Sequence, residues 1–148
     1  MRYRLKQLYV TVIREDAPPP RRLSSPGAVA LLARDLVARA DDDREHFWAV
    51  CLDSQNRYLG HFEILVGGAA AAPVDAKVLF RQVLLAGATN LVAIHNHPSG
   101  DPTPSREDRA LTRQLLDGAE LLGLGFHDHV VVGNGTGQWV SMKQRGVL

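Results

Sequence analysis

"AIHNHPSGDPTPSREDRA", residues 93–110, sets two histidines at the end of an apolar run and a capped helix start shortly beyond it. Asn90 to Ile94 reads as a short apolar strand leading straight into His95. Side chains two apart on an extended chain point to the same side, with origins roughly 6–7 Å apart. The imidazoles of His95 and His97 can therefore close on one cation at Zn–N distances of about 2.0–2.1 Å. Asp108 follows His97 by eleven residues, in the first turn of the next expected helix. Pro98, Gly100, Pro102 and Pro104 turn the loop between them and can fold that helix start back toward the histidines. Two imidazoles and one carboxylate leave a fourth tetrahedral position open, as in a catalytic zinc site. Ser105 and Asp108 also carry the S-x-x-D spacing of a capping box, which needs no metal. His-x-His pairs at strand ends also occur as solvated polar residues, so spacing alone leaves both readings open.

Outward from this stretch the chain alternates helix and strand signals. Leu8 to Ile13 reads as a β-branched strand, and Asp16 to Arg22 as a stiff proline-rich linker. Ser24-Ser25-Pro26 is a helix start, and Val29, Leu32, Leu36 and Val37 follow at helical spacing as far as Ala40. Glu45 to Leu52 is expected to be a largely buried strand, returning through Ser54–Asn56 into a hairpin partner over 58–66. Gly67, Gly68 and the alanine run form a loop. A helix over residues 75–86 takes Asp75 as its cap and Gly87 as its stop. The helix of residues 106–122 is expected to bury Leu111, Leu115, Ala119 and Leu122 and to end at Gly123. Val130–Val132 and Gln138–Val140 are strands joined by the glycine-rich turn 133–137. This order predicts an α/β fold, a mixed sheet packed by helices.

The bulk properties narrow the function classes. The 148 residues suit one domain with its own core, and 45% hydrophobic with 22% charged content is ordinary for a globular protein. No apolar run reaches the roughly 18 residues of a membrane span, and the charged start MRYRLKQLYV lacks a signal peptide's apolar core. A single cysteine, Cys51, excludes an internal disulfide and favours the cytoplasm; with no partner histidine placed for it, it reads as inert. A net charge of +1 without a large basic block gives little case for nucleic-acid binding. Trp48 and Trp139 read as core or interface aromatics.

His95-Asn96-His97-Pro98, six residues, then Ser105-Arg106-Glu107-Asp108 resembles the JAMM (MPN-plus) metalloprotease motif, with Asn96 where serine or threonine is usual. More narrowly, HNHPSGDPTPSREDRALTRQL followed by HDHVVVG is similar to the JAMM domain of the RadC family, where asparagine is normal at that position. The likeness extends to REHFWAVCLDSQNRYLG and spans residues 24–148, leaving 1–23 as an N-terminal strand and proline-rich linker. The resemblance implies a single JAMM/MPN-type (cytidine-deaminase-like) domain. It implies that His95, His97 and Asp108 hold Zn2+, and that a glutamate opening the strand after the first helix moves the proton of the attacking water. Glu45 fits that position and shares a strand face with Phe47, Ala49 and Cys51; Glu63, on the hairpin partner, is the rival. Ser105 corresponds to a serine that donates to the oxyanion of the attacked amide, in competition with its role as a helix cap.

His127-Asp128-His129 is a second His-x-His, but no loop returns a carboxylate to it. The resemblance gives Asp128 and His129 an outer role beside the metal ligands. It implies a zinc-dependent hydrolase of peptide or isopeptide bonds, with the substrate undefined. The competing expectation is a DNA-repair-associated module that binds or cuts nucleic acid. RadC-like proteins usually carry an N-terminal helix-hairpin-helix-like region, whereas residues before 24 read as a strand and linker, which lowers that expectation.

Overall fold

A computed structural model of the chain describes residues 21–40, 43–67 and 74–148. The expected strand of Leu8 to Ile13, most of the linker and the alanine run lie outside the described residues. Helix α1, Pro26–Ala38, begins where Ser25 accepts the Ala28 N–H on its side chain and Pro26 supplies a preset first turn. Val29, Ala30, Ala33, Leu36 and Val37, at i, i+1, i+4, i+7 and i+8, form the buried stripe of an amphipathic helix. Strands β1, Glu45–Leu52, and β2, Tyr58–Gly67, form the hairpin. Asp53 braces its turn by accepting the N–H groups of Gln55 and Arg57. Helix α2, Ala76–Leu85, is capped by the Asp75 carboxylate and stops at left-handed Gly87.

Strand β3, Asn90–His97, runs three residues beyond the expected Ile94 and carries both histidines. Helix α3, Arg106–Leu122, has the full Ser105/Asp108 capping box and a left-handed Gly123 at its end. Strand β4, Gly125–Gly133, is longer than expected at its start, and β5, Trp139–Ser141, closes the fold. Leu122, expected in the core, is 44% exposed. Burial of α3 ends about one turn earlier, at Ala119, before the chain reverses into β4. A Cβ on Gly118 would lie 2.6 Å from the Phe80 ring, so this glycine sets the close crossing of α2 and α3.

Among the described residues the sheet runs β2-β1-β3-β4-β5, with β3 and β4 parallel and the other pairs antiparallel. Each face has its own core. Trp48, Val50, Leu52, Val92, Ile94, Val130 and Val132 pack on α1. Phe47, Ala49, Cys51, Leu91, Ala93 and Phe126 pack with Leu79, Val83, Leu115 and Ala119 of α2 and α3. Helices on both sides explain why β1 and β3 read as nearly unbroken apolar runs. Leu23, 2% exposed, joins the α1 core, and Arg22 bridges Arg57. Strand alternation sorts the side chains by face: odd-numbered residues of β1 and β3 point toward α3, and even-numbered ones toward α1.

Candidate metal centre

His95 and His97 project from the carboxyl end of β3, and Asp108 from the first turn of α3. That region, outside the carboxyl ends of parallel strands, is where α/β sheets bind ligands. Phe47 is the Cα partner of His95 across β1 and β3. Continuing that register by two residues brings Glu45 level with His97 on the same face. Ligand atoms of Glu45, His95, His97 and Asp108 accordingly lie within 4.8 Å of one another. Nε2 of His95 and Nε2 of His97 are 3.0 Å apart. Asp108 Oδ2 is 3.1 Å from His97 Nε2, and Oδ1 is 3.3 Å from His95 Nε2. Glu45 Oε1 stands slightly further out, 3.6 Å from His95 Nε2.

Hydrogen bonds behind the histidines determine which ring nitrogen faces the cluster. His97 Nδ1–H donates to the Asp101 carbonyl at 2.8 Å, leaving Nε2 with its lone pair directed inward. For His95 the chain of bonds is longer. The Thr112 hydroxyl donates to the Asp108 carbonyl, 2.7 Å, so its oxygen accepts from His129 Nδ1–H at 2.7 Å. His129 Nε2 is then an acceptor for the His95 Nδ1–H, again at 2.7 Å. His95 Nε2 is left as a second inward lone pair. His129 is fully buried, and burial together with neighbouring His95 holds its pKa far below the usual histidine range, so the neutral ring this relay requires is favoured. Phe47 stacks on His95 and meets His129 edge-on, fixing both ring planes.

Two lone pairs and a carboxylate converging at this range can share one cation. A tetrahedral ion with bonds of about 2.0–2.1 Å separates its ligands by roughly 3.3 Å, and the observed 3.0, 3.1 and 3.3 Å match that edge. The residues fit a metal. Burial pushes the Asp108 carboxyl upward, but the His95 and His97 imidazoles and the Ser105 N–H pull it down harder, well below the carboxylate range. The same contact with Asp108 raises His97, burial opposing it.

The loop between His97 and α3 is held by close backbone approach. Gly100, in the left-handed region, bonds through its N–H to the His97 carbonyl, which also accepts the Asn134 N–H. A Cβ on Gly133 would lie 2.0 Å from the Gly100 oxygen, so only glycine lets the loop seat against β4. The glycine-rich stretch 133–137 thus serves the site's backbone.

Other sequence candidates separate by face. Glu63 bonds His46 Nδ1 on the α1 side of the sheet, away from the cluster. Asp128 accepts from the His129 N–H, the Ser141 hydroxyl and the Lys143 N–H, tying the segment after β5 to β4 rather than bonding His95 or His97. His127 bonds Asn56 at the far end of the strand. Burial drives the Cys51 thiol up to about 11, which makes it inert at neutral pH. Ser105 stands at the rim, its Oγ accepting the Asp108 N–H at 3.0 Å. Thr112 is the functional residue that sequence reasoning misses. Its one signal is a hydroxyl on the stripe of Asp108, Leu115 and Ala119, where an apolar residue belongs.

A mixed sheet carrying two strand-end histidines and a helix-borne aspartate is the layout of a JAB-type domain. The chain belongs to the RadC family within that class: the family model described as RadC-like JAB domain matches residues 23–147. It is 45% identical over 108 residues to a UPF0758 protein of Coprothermobacter proteolyticus, covering 73% of this chain and 45% of that protein. A UPF0758 protein of Methanosarcina barkeri is 35% identical over 130 residues, 88% of this chain and 55% of its own length. One from Trichormus variabilis is 44% identical over 111 residues, 75% and 44% respectively. The chain therefore spans about half the length of these curated relatives.

Proposed function

We propose that this domain is a zinc-dependent hydrolase of the JAMM type that cleaves peptide or isopeptide bonds. The observation that carries the proposal is the convergence of Glu45, His95, His97 and Asp108 within 4.8 Å. His95, His97 and Asp108 would hold the ion. Zinc suits two nitrogens and one carboxylate oxygen, and when bound it supplies Lewis acidity toward water and a carbonyl. Glu45 stands back from the three ligands with its side chain 41% exposed, where an attacking water has room to approach. Its carboxylate takes the water's proton and passes it to the leaving amine. Accepting the Asp108 N–H occupies one lone pair of Ser105 Oγ, and the hydroxyl proton is left to donate to the oxyanion. Capping and catalysis are compatible at this residue.

A single buried cysteine supports a cytoplasmic setting; no described helix is long and apolar enough to cross a membrane. The test is a peptide and isopeptide library incubated with the zinc-loaded protein, with single- and double-stranded DNA as competing substrates. Glu45→Gln should abolish amide cleavage while zinc stays bound. Metal-dependent DNA cleavage lost in Glu45→Gln, without amide cleavage, would replace the proposal by a nuclease.

A further inference from the structure

The backbone ladder between β1 and β3 ends at the Phe47–His95 pair. One residue further along β3, a side chain takes over from the ladder. Asn96 is wholly buried, and its amide meets three groups on two other segments. Oδ1 accepts the His46 N–H at 2.6 Å, and Nδ2 donates to the Arg44 carbonyl at 2.9 Å and to Asn134 Oδ1 at 3.0 Å. One backbone acceptor and one backbone donor fix which end of the amide is oxygen. These two groups belong to the residues on either side of Glu45. Asn96 therefore grips the main chain before and after that glutamate from the strand that carries both histidines.

We infer that Asn96 is a positioning residue for Glu45, setting the distance between the proton-carrying carboxylate and the metal ligands. The inference rests on the proposed role of Glu45. Asparagine is needed for a countable reason. The site requires one acceptor and two donors on a planar, short side chain, and a hydroxyl of serine or threonine has a single proton to give. Aspartate has the shape but no donors, and would set a carboxylate against the Arg44 carbonyl. Without the clamp, Glu45 is held only from the β2 edge, where it pairs with Gly67, because the β1–β3 ladder has already stopped, and its carboxylate can swing away from His95.

The test uses protein loaded with Co2+ in place of zinc and follows the visible absorption of the bound ion against pH, for wild type, Glu45→Gln, Asn96→Ala and Asn96→Ser. Asn96→Ala should retain one metal per chain with affinity within about threefold of wild type, because no ligand is touched. Its spectral midpoint should move in the same direction as that of Glu45→Gln, with Asn96→Ser lying between. Amide exchange at His46 should accelerate by about tenfold or more once its acceptor is gone. Asn96→Ser serves alone if the alanine variant does not fold. A wild-type midpoint in the Asn96 variants, alongside a shifted one in Glu45→Gln, would overturn the inference. A wild-type midpoint in Glu45→Gln itself would instead remove the role of Glu45, and this inference would fall with it.

Discussion

Thr112 and His129 show how single residues outside the ligand set decide what the ligands can do. Neither touches the open side of the cluster, yet together they fix the tautomer that turns His95 Nε2 inward. Thr112→Val keeps the shape and removes the acceptor for His129 Nδ1–H. Loss of such an outer partner typically costs 10–100-fold in metal affinity, so a chelator competition titration should show a drop of about that size. Unchanged affinity would mean that the relay does not govern His95. A pH dependence belongs to the same scale. Contact with Asp108 raises His97 above its ordinary 6.5. The metal-free protein therefore has the full stabilisation from a protonated His97 below pH 6.5, and loses it as pH rises through the raised value. Metal binding requires the deprotonated ring, so its affinity weakens as pH falls through that value. The gap in Tm between metal-loaded and metal-free protein should widen from about pH 6 to about pH 8, read by thermal unfolding. A constant gap would contradict the assignment of His97 as a ligand.

The elements differ in how plainly they can be read. Helix α3 declares both ends, through the Ser105-x-x-Asp108 box and Gly123, and β1 through an unbroken apolar run with turns on either side. Both signals are local. Strands β3 and β4 look shorter in sequence than they are, because His95, Asn96, His97, His127, Asp128 and His129 resemble polar breaks. They remain strand because their partners lie far along the chain: Thr112 for His129, the backbone around Glu45 for Asn96, Ser141 for Asp128. The ligands are legible from spacing and likeness, but the network that aims them is not, since a hydroxyl on a helix stripe carries no address. The loop joining β3 to α3 allows a test at this scale. Gly133→Ala drives a methyl group into the Gly100 carbonyl. Overpacking of this kind costs about 1–3 kcal/mol, and here it also displaces the loop that seats Asp108. The variant should lose both Tm and metal affinity, whereas a purely structural glycine would lose Tm alone.

Across the whole molecule, the sheet divides labour between its faces. The α1 side holds Glu63, His46 and Asp128 in structural pairings, while the α3 side gathers the ionisable groups that converge on one point. A ligand that binds only the folded chain stabilises it by about 4 kcal/mol at a thousand times its Kd. For a chain of this size that corresponds to a Tm rise on the order of 10 °C. The same rise in a His97→Ala, Asp108→Ala double variant would place the metal elsewhere. The most direct measurement is zinc content per chain after dialysis, by atomic emission, for wild type, Glu45→Gln and the double variant. The proposed zinc centre predicts one zinc in the first two and none in the third. Equal zinc in all three would contradict the metal centre itself.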